Sequence, residues 1–267
     1  MNGDKKVQLD NILKELKSFV IAFSGGVDSS FLMHRARSIK KLEYTGVTIR
    51  TPYIPKSEID EAAEFARTYD INHVILDITF PESIRNNPEE RCYICKKALF
   101  TELLRYAENN GYKYVVEGTN ADDPSTHRPG LRALGELDIR SPLMEAGLTK
   151  KEIREYLRQD GLSIWDKPAM ACLLTRIPYN TRITEESLGM VERAEGFLLE
   201  RGYPGTRVRI HGDLARIECL PGYFERIIQD PEKENIINNL KKIGFRYISL
   251  DLEGYRSGSS DQKIIKI

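Results

Sequence analysis

Apolar positions follow two rhythms along the first two-thirds of the chain. Short apolar runs recur at residues 19–23, 44–49, 73–78 and 114–117, and each reads as a buried parallel strand. Between them apolar residues repeat every three or four positions, which predicts helices. Leu9, Ile12, Leu13 and Leu16 line a helix over 1–18, and further helices fall over 30–39, 57–68 and 97–109. Ser57 and Asp60 have capping-box-like spacing, and Thr149-x-x-Glu152 opens another helix that runs to about residue 159. Strands alternating with helices predict an α/β fold with a doubly wound parallel sheet. In such sheets ligands bind at the carboxyl ends of the strands.

Near residue 178 the rhythm changes. Ile177-Pro178-Tyr179-Asn180 is a turn signal. A helix over 184–201 follows, then strand-like residues 207–210, a hairpin turn at His211-Gly212-Asp213, a returning strand over 214–219, a helix near 231–242 and a strand over 247–252. The chain therefore divides into an α/β domain over residues 1–177 and a smaller α+β domain over 178–267.

The first strand runs straight into Ser24-Gly25-Gly26-Val27-Asp28-Ser29. A strand, a glycine turn and a helix start make a cradle for phosphate, because the first N–H groups of a helix lack internal partners and its end carries partial positive charge. Gly25 and Gly26 permit positive φ and close approach of an anion. No G-x-x-x-x-G-K-[ST] occurs, so this is not the common ATP-binding loop. The fourth strand ends in Gly118-Thr119-Asn120-Ala121-Asp122-Asp123, at the same sheet edge as the first loop.

Lys+Arg 40 balance Asp+Glu 40, which argues against a dedicated nucleic-acid binder. No stretch reads as a signal peptide or a membrane span, so the expected location is cytoplasmic. There the four cysteines read as metal ligands or reactive thiols rather than disulfides. Cys92-Tyr93-Ile94-Cys95 is a C-x-x-C flanked by Arg91, Lys96 and Lys97. It is open to several readings: coincidence, a zinc site without zinc-ribbon spacing, a redox pair, or, with Cys172, three thiolates holding three irons of a [4Fe–4S] cluster with the fourth iron open. Cys219 ends an alternating strand and reads as a core thiol.

The SGGxDS stretch resembles the signature of the PP-loop ATP pyrophosphatase superfamily. Over nearly its whole length the chain resembles the LarE family. The resemblance runs through Ser24–Ser29, the segment around Cys92 and Cys95, Arg128-Pro129-Gly130, residues 167–179, Arg207-Val208-Arg209-Ile210-His211-Gly212-Asp213 with the strand after it, and Glu253-Gly254-Tyr255-Arg256-Ser257-Gly258. The resemblance implies an ATP-dependent sulfurtransferase acting on pyridinium-3,5-biscarboxylic acid mononucleotide. Such an enzyme adenylates a carboxylate with Mg·ATP and replaces AMP with sulfur, giving the thiocarboxylates of the nickel-pincer cofactor of lactate racemase. A homo-oligomer is implied, with inorganic sulfide or a sulfide donor as partner.

The family has two sulfur strategies. In one, a cysteine surrenders its own sulfur; that position falls on Ala171 here. The chain has Cys92, Cys95 and Cys172 instead, which resembles the iron–sulfur branch, with a displaced sacrificial Cys172 as the alternative. The resemblance implies that Ser24, Gly25, Gly26, Asp28 and Ser29 bind ATP phosphates, with Asp28 near Mg²⁺. It implies that Gly118, Thr119 and Asn120 contact AMP and that Arg128 neutralises a phosphate. Arg207 and Arg209, two positions apart on a strand, point to one face and are implied to share the substrate phosphate, against a salt-bridged face as the plain alternative. Glu195 and Glu218 match acidic positions of the substrate site or its metal, and Arg256 a substrate ligand. The rivals are cluster-dependent tRNA thiolation, an ammonia-using ligase, and a non-enzymatic nucleotide or iron–sulfur sensor.

Overall fold

The computed structural model describes residues 4–123, 130–168 and 171–256. Contacts divide the chain into two compact units. The first is Met1–Ile84 with Glu90–Met170, and the second is Arg85–Glu89 with Ala171–Ile267. The units part ahead of the Ile177-Pro178 turn, and five residues from the middle of the α/β segment belong with the C-terminal unit.

In the first unit, β1 (Ser18–Ala22), β2 (Glu43–Arg50), β3 (His73–Asp77) and β4 (Tyr114–Val116) form a parallel sheet in the order β3-β2-β1-β4. Each crossover carries a helix: α1 (Lys5–Leu16) precedes β1, α2 (Val27–Ser38) follows it, α3 (Lys56–Thr68) follows β2 and α4 (Arg91–Asn109) follows β3. Beyond β4 come α5 (Gly130–Glu136), α6 (Pro142–Glu145) and α7 (Lys150–Gln159). The period of two along β1 sorts its side chains onto both faces. Phe19 and Ile21 pack with Leu9 and Leu13 of α1, Phe31 of α2 and Leu157 of α7, whereas Val20 packs with Phe100 and Leu103 of α4. A strand covered on both faces has no solvent side, which is why its sequence is an unbroken apolar run.

Three boundaries differ from the pattern-based expectation in ways that matter for chemistry. Helix α2 begins at Val27 with Gly26 as its cap, so Asp28 and Ser29 lie in its first turn. Helix α4 begins at Arg91, which places Cys92 and Cys95 on its first turns rather than in a loop. Helix α3 is capped by Pro55 with no side-chain hydrogen bond, so Ser57 is not its cap. Proline fixes the entry φ, and Ser57 lies inside the first turn. The box expected at Thr149 does form: Glu152 N donates to Thr149 Oγ1 and Thr149 N donates to Glu152 Oε2.

In the second unit, α8 (Glu185–Glu200) precedes a three-stranded sheet of β5 (Arg207–His211), β6 (Leu214–Glu218) and β7 (Tyr247–Leu250). Strands β5 and β6 form a hairpin in which His211 pairs with Leu214, leaving the two-residue loop Gly212-Asp213. Gly212 sits at φ +59, as a tight hairpin turn demands. Strand β7 joins β6 in parallel, through α9 (Phe224–Ile228) and α10 (Glu232–Ile243). No helix among the described residues is long and apolar enough to cross a membrane.

Candidate functional site

The loop between β1 and α2 is organised by its own serines. Ser24 N and Ser24 Oγ lie 3.3 and 3.2 Å from Ser29 Oγ, Ser29 Oγ donates to the Gly26 carbonyl, and Gly26 N donates to Ser24 Oγ. Gly25 is at φ +66, and a Cβ there would sit 3.0 Å from Ala62 Cβ of α3. Both facts confine the position to glycine. Lys167 Nζ donates to the Gly25 carbonyl at 2.8 Å and pairs with Glu61 of α3 at 2.6 Å, so α3 and the lysine hold the loop between them.

Because β4 lies beside β1, its carboxyl end meets this loop. A Cβ at Gly118 would fall 3.0 Å from Ser29 N and 3.2 Å from Asp28 Cβ. Asn120 Nδ2 donates to Asp28 Oδ1 at 3.4 Å. The Glu117 carboxylate, buried at the strand end, accepts Thr119 N, Thr119 Oγ1 and Ser141 Oγ, which fixes the start of the 118–123 loop. Asp28 itself carries an ion pair with Lys150 Nζ at 2.5 Å. Burial pushes its carboxyl above the usual carboxylate range, Lys150 opposes that shift, and nearby Asp123 adds to it. The backbone N–H of Lys150 donates to Asp122 Oδ2 at 2.8 Å, so the start of α7 is joined to the loop after β4. The structure thus gathers Ser24, Gly25, Gly26, Asp28, Ser29, Gly118, Thr119 and Asn120 at one edge of the sheet. Arg128 lies outside the described residues.

Two residues at this edge escaped the sequence reading. Lys150 carried one signal: a cation in the first turn of a helix opposes the macrodipole and needs a compensating partner. Lys167 carried none, since it comes from a non-helical segment far along the chain.

The C-x-x-C pair lies on the first turns of α4, where positions i and i+3 share a face. Cys92 is exposed and Cys95 half-buried, with the hydroxyl of buried Tyr53 3.1 Å from Cys95 Sγ. Cys172 belongs to the other unit, half-buried just before the 3₁₀ turn Leu173–Arg176. Cys219 is fully buried, and burial pushes its thiol up, as suits a core residue. Among the described residues no group of three His, Cys, Asp or Glu side chains is assembled for a metal. The donor set of thiols at a helix start fits iron and sulfur chemically.

In the second unit Arg207 and Arg209 are both buried on β5. Arg209 Nε donates to Glu218 Oε1 at 2.5 Å, and its Nη1 donates to the Thr175 carbonyl at 2.5 Å. Glu218 also accepts from Arg216 at 2.9 Å. Arg207 lies over the Tyr255 ring, 5.4 Å from its centroid. Glu195 accepts Val208 N and takes Arg176 in a two-pronged pair. Arg256 pairs with Glu253 at 2.6 Å. Two guanidiniums two positions apart on one strand are thus kept inside by carboxylates rather than left facing each other. Arg176, the buried partner of Glu195, was not singled out from the sequence; a charged residue between apolar Leu173-Leu174 and Ile177 was the available hint.

No family model matches the chain. It is 37% identical over 269 residues to an uncharacterised protein of Synechocystis sp., with the whole of both chains covered. It is 34% identical over 265 residues to the pyridinium-3,5-bisthiocarboxylic acid mononucleotide synthase of Lactiplantibacillus plantarum, covering 98% of this chain and 95% of that one. A shorter match, 34% over 119 residues, reaches the glutamine-hydrolysing GMP synthase of Thermoplasma volcanium and covers 43% of this chain and 38% of that one. With the glycine loop after β1, the parallel sheet and this full-length identity together, the chain belongs to the LarE family, that of the pyridinium-3,5-bisthiocarboxylic acid mononucleotide synthase, within the PP-loop ATP pyrophosphatase superfamily.

Proposed function

We propose that this protein adenylates the carboxylates of pyridinium-3,5-biscarboxylic acid mononucleotide with Mg·ATP and replaces AMP with sulfur. The observation that carries the reading is the convergence of the Ser24–Ser29 loop and the Gly118–Asn120 loop at adjacent strand ends, linked through Asp28 and Asn120. It is supported by the full-length identity to the Lactiplantibacillus synthase.

A carboxylate is a poor electrophile because its leaving group would be oxide. Its oxygen attacks the α-phosphorus of ATP, pyrophosphate departs, and the acyl adenylate then has a phosphate leaving group. The N–H groups at the start of α2 bind the departing pyrophosphate. Asp28, freed from Lys150, holds Mg²⁺, and Lys150 is left to face the phosphates. Thr119 and Asn120 position AMP. Sulfide then attacks the acyl carbon, the C–O bond to phosphate breaks, and AMP leaves with the electron pair. Arg207 and Arg209 bind the phosphate of the mononucleotide, which requires Arg209 to exchange part of its present bonding, with Glu195, Glu218 and Arg256 framing that pocket.

Cys92, Cys95 and Cys172 are the residues that would hold a [4Fe–4S] cluster. Three thiolates leave one iron without a protein ligand, a place for inorganic sulfide. The C-x-x-C pair on α4 and the departure at Ala171 support this branch over a sacrificial cysteine. The test is pyrophosphate release on adding the mononucleotide to protein and ATP, with tRNA as the comparison substrate. Release with the mononucleotide alone is expected; release driven by tRNA would replace this reading with RNA thiolation.

A further inference from the structure

The turn that carries Cys172 is held from outside by side chains that grip its carbonyl oxygens. Arg176 is 2% exposed. Its Nε and Nη2 pair with the Glu195 carboxylate at 2.8 and 2.9 Å. Its Nη1 donates to the carbonyls of Ala171 and Cys172 at 2.9 and 3.2 Å, and to Thr175 Oγ1 at 2.7 Å. Thr175 N and Thr175 Oγ1 donate to the Cys172 carbonyl as well. Further along, Arg209 Nη1 donates to the Thr175 carbonyl at 2.5 Å. Asn87 Nδ2 donates to the carbonyls of Ile177 and Pro178 at 2.8 and 2.9 Å.

These donors come from three places: the turn itself through Arg176, strand β5 through Arg209, and the Arg85–Glu89 segment through Asn87. Glu195 of α8 locks Arg176, and Val208 N of β5 locks Glu195 at 2.9 Å. Buried Leu173 and Leu174 anchor the turn below, while Cys172 itself stays half-buried. A buried arginine–glutamate pair is a poor means of gaining stability, because desolvating both charges offsets most of their attraction. A leucine here would bury apolar area without that cost, but it could not grip two consecutive carbonyls. What the pair supplies is one backbone conformation for the residue just before the turn.

We propose that Arg176, oriented by Glu195, is a positioning residue for Cys172 and fixes the direction in which its sulfur is presented. Glu195 accordingly acts through Arg176 rather than by touching substrate alone. The inference rests on the reading that Cys172 handles sulfur. It applies alike to an iron ligand and to a sulfur donor, since both need the thiol in one orientation.

The test is the rate at which iodoacetamide alkylates individual cysteines of the reduced, folded chain, read peptide by peptide. Cys219, fully buried in the same unit, reports general loosening. Arg176→Lys keeps the charge and loses the fork. Cys172 is expected to react about tenfold faster in this variant while Cys219 stays protected, the scale of losing hydrogen bonds to a charged donor. An unchanged Cys172 rate overturns the proposal. So does a parallel rise at Cys219, which would make Arg176 a packing residue. If Arg176→Lys does not fold, Glu195→Gln is measured in the same way and must raise Cys172 alone. Cys172→Ala separates the two readings: sulfur transfer retained in that variant removes the role of Cys172 in chemistry, whereas the alkylation result concerns only the clamp.

Discussion

Lys150 Nζ lies 2.5 Å from Asp28 Oδ2, so the carboxylate best placed for a magnesium ion already holds a cation supplied by the chain. The pair keeps a half-buried carboxylate charged in the absence of nucleotide. Loading Mg·ATP then exchanges one positive partner of Asp28 for another. Asp28→Asn is expected to weaken Mg·ATP binding by at least tenfold and to abolish pyrophosphate release while the fold persists; equilibrium dialysis with labelled ATP checks it.

Protonation of Asp28 opposes that exchange. Its carboxyl lies above the usual range because burial disfavours the charged form. Binding of Mg·ATP should therefore begin to fail as pH falls at a less acidic point than an exposed aspartate would give. A pH series of ATP affinity, with Asp28→Asn flat across the same range, is the check.

Glu152 titrates oppositely. Its hydrogen bond from Lys5, then those from Thr149, hold its carboxyl down at about 2. A depressed folded-state value contributes stability above the unfolded carboxylate range that is lost as pH falls from about 4.5 towards about 2. The side chain is 35% exposed, so solvent screening keeps the Lys5 ion pair modest. Thr149→Ala removes the cap of α7 and should cost about 1 kcal/mol in urea unfolding at neutral pH, and less at low pH where Glu152 is protonated.

Gly25→Ala meets two obstacles, a left-handed φ and the Ala62 side chain at 3.0 Å. The expected cost is about 1–3 kcal/mol, with ATP affinity falling more than global stability because the strain sits in the loop itself. Paired melting and binding measurements distinguish the two.

Alanine at Cys92, Cys95 or Cys172 should remove iron from anaerobically purified protein and leave ATP binding intact. Alanine at Cys219 should retain iron and lower stability modestly through loss of a buried thiol. Iron and acid-labile sulfide analysis of the four variants gives the comparison.

The α/β architecture was legible because β1 is apolar on every position and its neighbours repeat that pattern, and a doubly covered sheet leaves few other readings. The phosphate loop was legible for a local reason: glycine, serine and aspartate in one short stretch have to adopt the turn and the helix start by themselves. Lys150 and Lys167 were not, because their contacts depend on how α7 and the segment after it pack back on the sheet. The same holds for Arg176 and Asn87, whose partners are backbone carbonyls that carry no side-chain signature. Residues 85–89 had no mark of belonging to the C-terminal unit. Arg207 and Arg209 were read correctly as sharing a face, yet period alone does not say whether that face is wet or buried, or that Glu218 waits on it.

The most direct measurement of the account is sulfur incorporated per chain. Iron-loaded protein is incubated anaerobically with the mononucleotide, Mg·ATP and labelled sulfide, and thiocarboxylate, AMP and pyrophosphate are counted together. The account predicts repeated turnover, with one AMP and one pyrophosphate for each labelled sulfur and none in the Cys172→Ala variant. Multiple turnovers in iron-free protein, or product sulfur that is unlabelled and limited to one per chain, would contradict it.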